Sequence, residues 1–282
     1  MELSRLTRVI SFLPVLIFFL APISLVSETP NLKQLRIGRI AYTSPDSILI
    51  NHHSMVQYLS KLLEVPAEMK LFRSYEEIFR QIQSGKLELA WVGTAFYGGI
   101  DQAFSTPIVA PLWYGKKNYR GQFLVRSDSE IKTLEELIGK KVAFVAKSSS
   151  SGFFFPRLLL RENQIQLNDL HEYAFLEKHD AVVYAVLTKQ FDAGATYEGI
   201  LELSRFRKQK NRFRILAKTL DIPNEPILVS NRISGAMVSR IRKAFLDAKK
   251  AGVLESVSNL EGFYEVSEST YLPVRDLVEN AE

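Results

Sequence analysis

The 282-residue sequence predicts an α/β fold built from two similar units, on three observations. Strand-like and helix-like stretches alternate from Leu35 to Gly93, the signature of a parallel sheet. The design of "IFRQIQSGKLELAWVG" returns in "VVYAVLTKQFDAGATYEG": an amphipathic helix ends near a lysine, an acidic residue follows, and a small-residue strand runs into an exposed turn. The composition, 46% hydrophobic and 24% charged, supplies core enough for one large or two smaller globular bodies.

The elements follow in order. "LRIGRIAY" reads as a short apolar strand, and "SILINHHSMVQYLSKLL" carries apolar residues at helical spacing. "AEMKLF" is a second strand. Ser74 with Glu77 forms a capping box that opens the helix "YEEIFRQIQSG", and "KLELAWVG" is a third strand ending in glycine. "GQFLVRSDS" is a further strand, Thr133 with Glu136 predicts a capped helix over "LEELIGK", and "KVAFVAK" is a buried strand. A helix is expected from about Gly152 to Glu162, another over "HDAVVYAVLTKQ", and strands over "FDAGAT", "FRILAKT" and "EPILVS". "GAMVSRIRKAFLDAKKAG" is strongly helical.

The first 27 residues stand apart. Arg5 and Arg8 precede an apolar run that turns polar at "SETPNLKQ", the layout of a secretory signal peptide, interrupted by Pro14 and Pro22. Export to the periplasm with cleavage is the expectation, and an uncleaved membrane anchor is the alternative. The absence of cysteine excludes disulfides, thiol nucleophiles and thiolate metal sites. His52 and His53 are adjacent on a helix, face different ways and have no acid spaced for ligation, so no metal is expected. Formal charge is +5. It is spread out, with "RFRKQKNRFR" the only dense basic run, which argues against a nucleic-acid partner and mildly favours small anions.

"KSSSSGFFFPRLLLRENQI", Lys147 to Ile165, puts four serines and a glycine before an apolar helical run. One hydroxyl, on Ser151 or its neighbour, is enough to cap the helix. Pro156 lacks an N–H and belongs near a first turn, which places the helix start close to Gly152. The surplus hydroxyls, with the free N–H groups of the helix start, form a neutral cradle suited to a tetrahedral oxyanion.

"AWVG", "SSSSGFFFPRLLL", "HDAVVYAVLTKQFDAGATYEG", "DIPNEPILVS" and "YLPVRDL" occur in the order and at the approximate spacing found in the phosphonate, phosphite and phosphate-type periplasmic solute-binding proteins of ABC transporters. The sequence resembles that family from about Leu35 to Leu277. The resemblance implies a two-lobed type II, Venus-flytrap fold with two crossing hinge strands, in which residues 31–121 and 226–282 form one lobe and 122–225 the other. It implies that Ser149, Ser150 and Ser151 hold the phosphoryl oxygens, that His179 contacts the same ligand, and that Glu198 and Glu225 are acidic cleft residues. Val92 stands where an aromatic contact is common, so that contact is either missing or supplied by Phe96 or Tyr97. Tyr42, after the first strand, lies where ligands gather in open α/β sheets. No cofactor is implied.

Protonated His179 would bind an anion more strongly, which predicts tighter binding below about pH 6.5. Carboxylates only accept hydrogen bonds, so Glu198 and Glu225 suit a ligand with a protonated oxygen or an ammonium group. The expected function is capture of a small phosphorus oxyanion or organophosphonate by a monomer that delivers it to an ABC permease. The alternative is a ligand-sensing domain that reports to a membrane sensor. A hydrolase reading built on Ser149 to Ser151, His179 and Asp192 lacks a G-x-S-x-G elbow and an acid fixed behind the histidine, so no enzyme is expected.

Overall fold

The computed structural model of the protein describes residues 32–41 and 44–280. The leader and the candidate residue Tyr42 lie outside the described residues. In chain order the strands are β1 (Leu35–Ile40), β2 (Ala67–Phe72), β3 (Leu89–Trp91), β4 (Ser105–Trp113), β5 (Asn118–Arg126), β6 (Lys141–Phe144), β7 (Glu172–Phe175), β8 (Ala193–Tyr197), β9 (Phe213–Pro223), β10 (Ile227–Ser230) and β11 (Leu260–Glu265). The helices are α1 (Pro45–Leu63), α2 (Tyr75–Gln83), α3 (Thr94–Gly98), α4 (Phe155–Glu162), α5 (His179–Leu187), α6 (Ser204–Arg207), α7 (Gly235–Asp247) and α8 (Glu268–Glu279).

The strands form two sheets, in the orders β11-β4-β10-β3-β1-β2 and β7-β6-β8-β5-β9. Within them β2-β1-β3-β10 and β7-β6-β8-β5 share one plan: three parallel strands, then an antiparallel one. The echo between the α2–β3 and α5–β8 segments is therefore topological, with β3 and β8 each central in its sheet.

Three expectations change. The Thr133–Glu136 segment makes only a 3-10 turn, Glu135–Leu137. The Glu136 carboxylate is taken by the Lys132 N–H, and Gly139 turns the chain away at φ +73°. Buried Ile131, Leu134 and Leu137 plug the second lobe's core there without a full helix. "FRILAKT" extends as β9 to Pro223. Strands β4, β7 and β11 and helices α3 and α8 are not visible in the sequence pattern.

Leu35, Ile37, Met55, Leu59, Ile241 and Phe245 pack between the first sheet and α1 and α7. His52 shares this core, 1% exposed and edge-on to Trp91. Its Nδ1 lies 2.8 Å from the Ile48 carbonyl, so Nδ1 carries the proton. Burial, with the nearby Arg39 charge, lowers its pKa to about 3. The unfolded chain takes up this proton near pH 6.5 but the folded chain does not until about 3. Stability from this group is therefore full above pH 6.5 and falls by roughly 5 kcal/mol as the pH drops through that window. Urea unfolding at pH 7 and pH 4 measures this, and a His52→Gln variant should show a shallower slope, the remainder including the part that His179, its pKa lowered to about 4, supplies with the same sign.

The chain crosses between the sheets twice, through residues 114–117 and 224–226, and Asn118 and Tyr119 pair with Pro223 and Ile222 where the crossovers meet. Asn224 ties the junction. Its Nδ2 donates to the Pro111 and Lys116 carbonyls at 2.7 and 2.8 Å, its N–H to Lys117 at 3.0 Å, and its carbonyl accepts from the Tyr271 hydroxyl at 2.9 Å.

Candidate functional site

The serine run sits at the C-terminal end of β6, where a wide π-turn over Ser150–Phe154 leads into α4. The cap is Ser149, not Ser151: its Oγ accepts from the Gly152 N–H at 3.1 Å, and its carbonyl accepts from both Phe153 and Phe154. Pro156 has no N–H for the Gly152 carbonyl four residues earlier, so that carbonyl takes the Val145 N–H at 3.1 Å instead and pins the turn to the strand. A Cβ on Gly152 would lie 2.4 Å from a Val145 methyl, so the contact requires glycine. Gly121 works likewise on β5, where a Cβ would meet the Ser151 carbonyl oxygen at 2.9 Å.

Ser149 caps through an oxygen lone pair and keeps its own O–H to donate, while the hydroxyls of Ser150 and Ser151, 5% and 4% exposed, take no part in the cap. The Ser150 Oγ accepts a hydrogen bond from the Ala95 N–H at 3.0 Å, at the start of α3 in the other lobe. Thr94, beside it, donates to the Pro223 carbonyl at 2.7 Å. The hydroxyl of Tyr119, on the first crossing strand, bonds to Ser150 and Ser151. Burial pushes the Tyr119 phenol far up, with the neighbouring Glu225 charge and Tyr75 adding to it, while the two serines oppose the shift. Tyr119 is a neutral donor at every physiological pH.

His179 opens α5, on the opposite face of the second sheet from α4, and is half-buried. Its Nδ1 lies 2.8 Å from the Thr196 hydroxyl, and its ring stands edge-on to Tyr197. With the Thr196 hydroxyl as donor to Nδ1, the neutral ring carries its proton on Nε2, the tautomer that an oxyanion requires. Desolvation lowers the His179 pKa to about 4, which corrects the expectation of tighter binding below pH 6.5: the ring is uncharged through that range, and any gain from protonation begins near pH 4. Among the described residues the Nδ1 partner is the Thr196 hydroxyl and not an acid, and Asp192 instead accepts the Lys141 N–H at 2.9 Å.

The two acids are engaged by protein donors. Glu198 pairs with Lys218 at 2.6 Å, and Glu225 accepts from the Trp113 Nε1–H at 3.1 Å. The charge of Glu225 raises the Tyr264 phenol further, after burial, to about 12. Tyr97 is fully buried in the first lobe's core, edge-on to Tyr271. Phe96 is half-buried and stacks on Tyr75, whose ring covers Gly93. At the crossovers an open cavity of about 450 Å³ is lined by Lys116, Lys117, Arg120, Glu198 and Asp221, where Arg120 pairs with Asp221.

Sequence reasoning missed Ala95, Tyr119, Thr196 and Lys218. Thr196 carried a signal: period-2 alternation puts it on the face of Gly194, against which Val182 of α5 packs. Ala95 and Tyr119 contribute by backbone direction and long-range pairing, which no local motif records. Among the described residues no cluster of histidine and acidic side chains fit for a metal is present, and no helix is long and apolar enough to cross a membrane.

Comparison with known proteins bears on this geometry. Residues 37–271 match the family described as "ABC transporter, phosphonate, periplasmic substrate-binding protein". A curated relative, the "Phosphate-import protein PhnD" of Mycolicibacterium smegmatis, is 21% identical over 246 residues, covering 82% of this chain and 75% of its own. Two solved structures share the fold, each with a TM-score of 0.76. PhnD1 from Prochlorococcus marinus, in complex with methylphosphonate, is 20% identical over 88% of this chain and 98% of its own. The binding protein component of an ABC phosphonate transporter from Pseudomonas aeruginosa is 19% identical over 87% and 85%. The match extends over most of the chain and takes in both sheets and both crossovers, and the chain belongs to the phosphonate family of periplasmic substrate-binding proteins of ABC transporters.

Proposed function

We propose that the protein captures a small tetrahedral phosphorus oxyanion, inorganic or carried on an organophosphonate, between its lobes and delivers it to a membrane permease. The observation that carries this reading is the meeting of two helix starts across the lobes, where the Ala95 N–H of α3 reaches the Ser150 hydroxyl at the entrance to α4. Each helix start is a partial positive charge, and two face to face favour an anion between them. Parting of the lobes would release the Ala95 N–H, the Ser150 and Ser151 hydroxyls and the Tyr119 phenol together. Closure on an oxyanion would direct them, with neutral His179, at its oxygens. Each hydrogen bond to a charged ligand contributes about 1.5–3 kcal/mol, so four or five offset the cost of association and leave micromolar affinity or better.

The lobes in this reading part at the crossovers, with 31–121 and 226–282 on one side and 122–225 on the other. The leader serves as the export signal for work in the periplasm. The relatives, a phosphate-import protein and a protein solved in complex with methylphosphonate, support the phosphorus class. Calorimetric titration of the exported protein with phosphate, phosphite, methylphosphonate, 2-aminoethylphosphonate and sulfate tests it. Saturable binding at micromolar concentration or below to at least one phosphorus compound, with none to sulfate, is the expected result. Indifference to all four phosphorus compounds would overturn the reading.

A further inference from the structure

Gln122 follows Gly121 in β5, in register with Thr196 of β8 and Lys218 of β9. It is 1% exposed. Its Nε2 donates to the Tyr197 carbonyl at 3.2 Å, and its Oε1 is buried with no hydrogen-bond partner among the described residues. Turning the amide over would set oxygen against the Tyr197 oxygen, acceptor against acceptor, so the uncommitted atom is the acceptor. Thr196, the cross-strand neighbour of Gln122, holds the His179 ring, so the two side chains leave the same face of the sheet with their bases about one strand spacing, ~5 Å, apart. Of the two carboxylates named for the site, Glu198 accepts from Lys218 through Oε1 and Glu225 from Trp113 through Oε2.

We infer that Gln122 is a specificity-determining residue that reads a proton on the ligand: its Oε1 accepts a hydrogen bond from a P–OH group, so the site takes a singly protonated phosphorus oxyanion and rejects a sulfonate of the same charge and shape. This rests on the function proposed above. An amide oxygen fits the task, because it takes the proton without adding a negative charge that would repel the other ligand oxygens. A sulfonate has no proton to give, and its oxygen would face the Gln122 oxygen with both acceptors unpaired, the kind of mismatch that polar sites reject strongly.

Titration of the wild-type protein and of Gln122→Met with methylphosphonate and methanesulfonate tests the inference, with thermal melting of each protein recorded alongside. The wild type should prefer methylphosphonate by at least about 100-fold. Methionine keeps the length and volume of the side chain but removes the acceptor, so Gln122→Met should lose about tenfold or more on methylphosphonate and most of the preference. A purely structural role would lower the melting temperature and leave the ratio alone. A ratio unchanged in Gln122→Met, or a wild-type preference below about tenfold, overturns the inference while the proposed function stands. Failure of the wild type to bind methylphosphonate, phosphate or phosphite would sink both. If the variant does not fold, a wild-type preference below about tenfold still overturns the inference.

Discussion

Replacing Ser150 and Ser151 together by alanine is expected to weaken binding of the preferred phosphorus ligand by at least about 100-fold, with little change in melting temperature. Two hydrogen bonds to a charged ligand contribute about 3–6 kcal/mol together, which corresponds to roughly two to four powers of ten in affinity. The fold should tolerate the change because neither hydroxyl caps the helix. That task belongs to Ser149, whose replacement by alanine should instead cost about 1 kcal/mol of stability. The Ala95 N–H loses its partner in the closed form of the double variant, so closure without ligand should also weaken. Calorimetry on the double variant and on Ser149→Ala separates the binding from the capping role. A double variant that binds within threefold of the wild type would show that the hydroxyls do not hold the ligand.

The largest effect on stability is expected at Asn224, well away from the ligand. Its fully buried side chain donates two hydrogen bonds, to Pro111 and Lys116, and so joins the end of β4, the first crossover and the second. Asn224→Ala leaves both carbonyls short of a donor and opens a small hole, for about 2–4 kcal/mol of lost stability. Asn224→Asp should be worse, since a carboxylate would face carbonyl oxygens. Urea unfolding checks both, and an alanine variant within 0.5 kcal/mol of the wild type would contradict the assignment.

Much of the fold was legible in the sequence because parallel α/β units advertise themselves locally. The capping box at Ser74 and Glu77 forms as expected, with the Ser74 Oγ accepting from the Glu77 N–H at 3.1 Å. The box at Thr133 and Glu136 does not open a full helix, because Gly139 ends the turn before a second one can form. Strands β4 and β11 were hidden for a different reason. They pair antiparallel at the sheet's edge after long connections, and "STPIVAPLW" contains two prolines that local reading counts against a strand. At the site, the serine run was visible as an excess of hydroxyls over capping need, yet which serine caps depended on Pro156 widening the turn. Tyr119 and the Ala95 N–H were invisible, since their value comes from lobes brought together by the crossovers. The acids at Glu198 and Glu225 were legible as residues, but their partners Lys218 and Trp113 lie 20 and 112 positions away.

The most direct test of the central claim is a crystal structure of the protein grown with a phosphorus ligand that calorimetry has shown to bind. The oxyanion should lie between the lobes, with oxygens within hydrogen-bond distance of the Ser150 and Ser151 hydroxyls, the Tyr119 phenol and the His179 Nε2. An oxyanion bound elsewhere, with Ser150 still on the Ala95 N–H and the cleft unchanged, would contradict it.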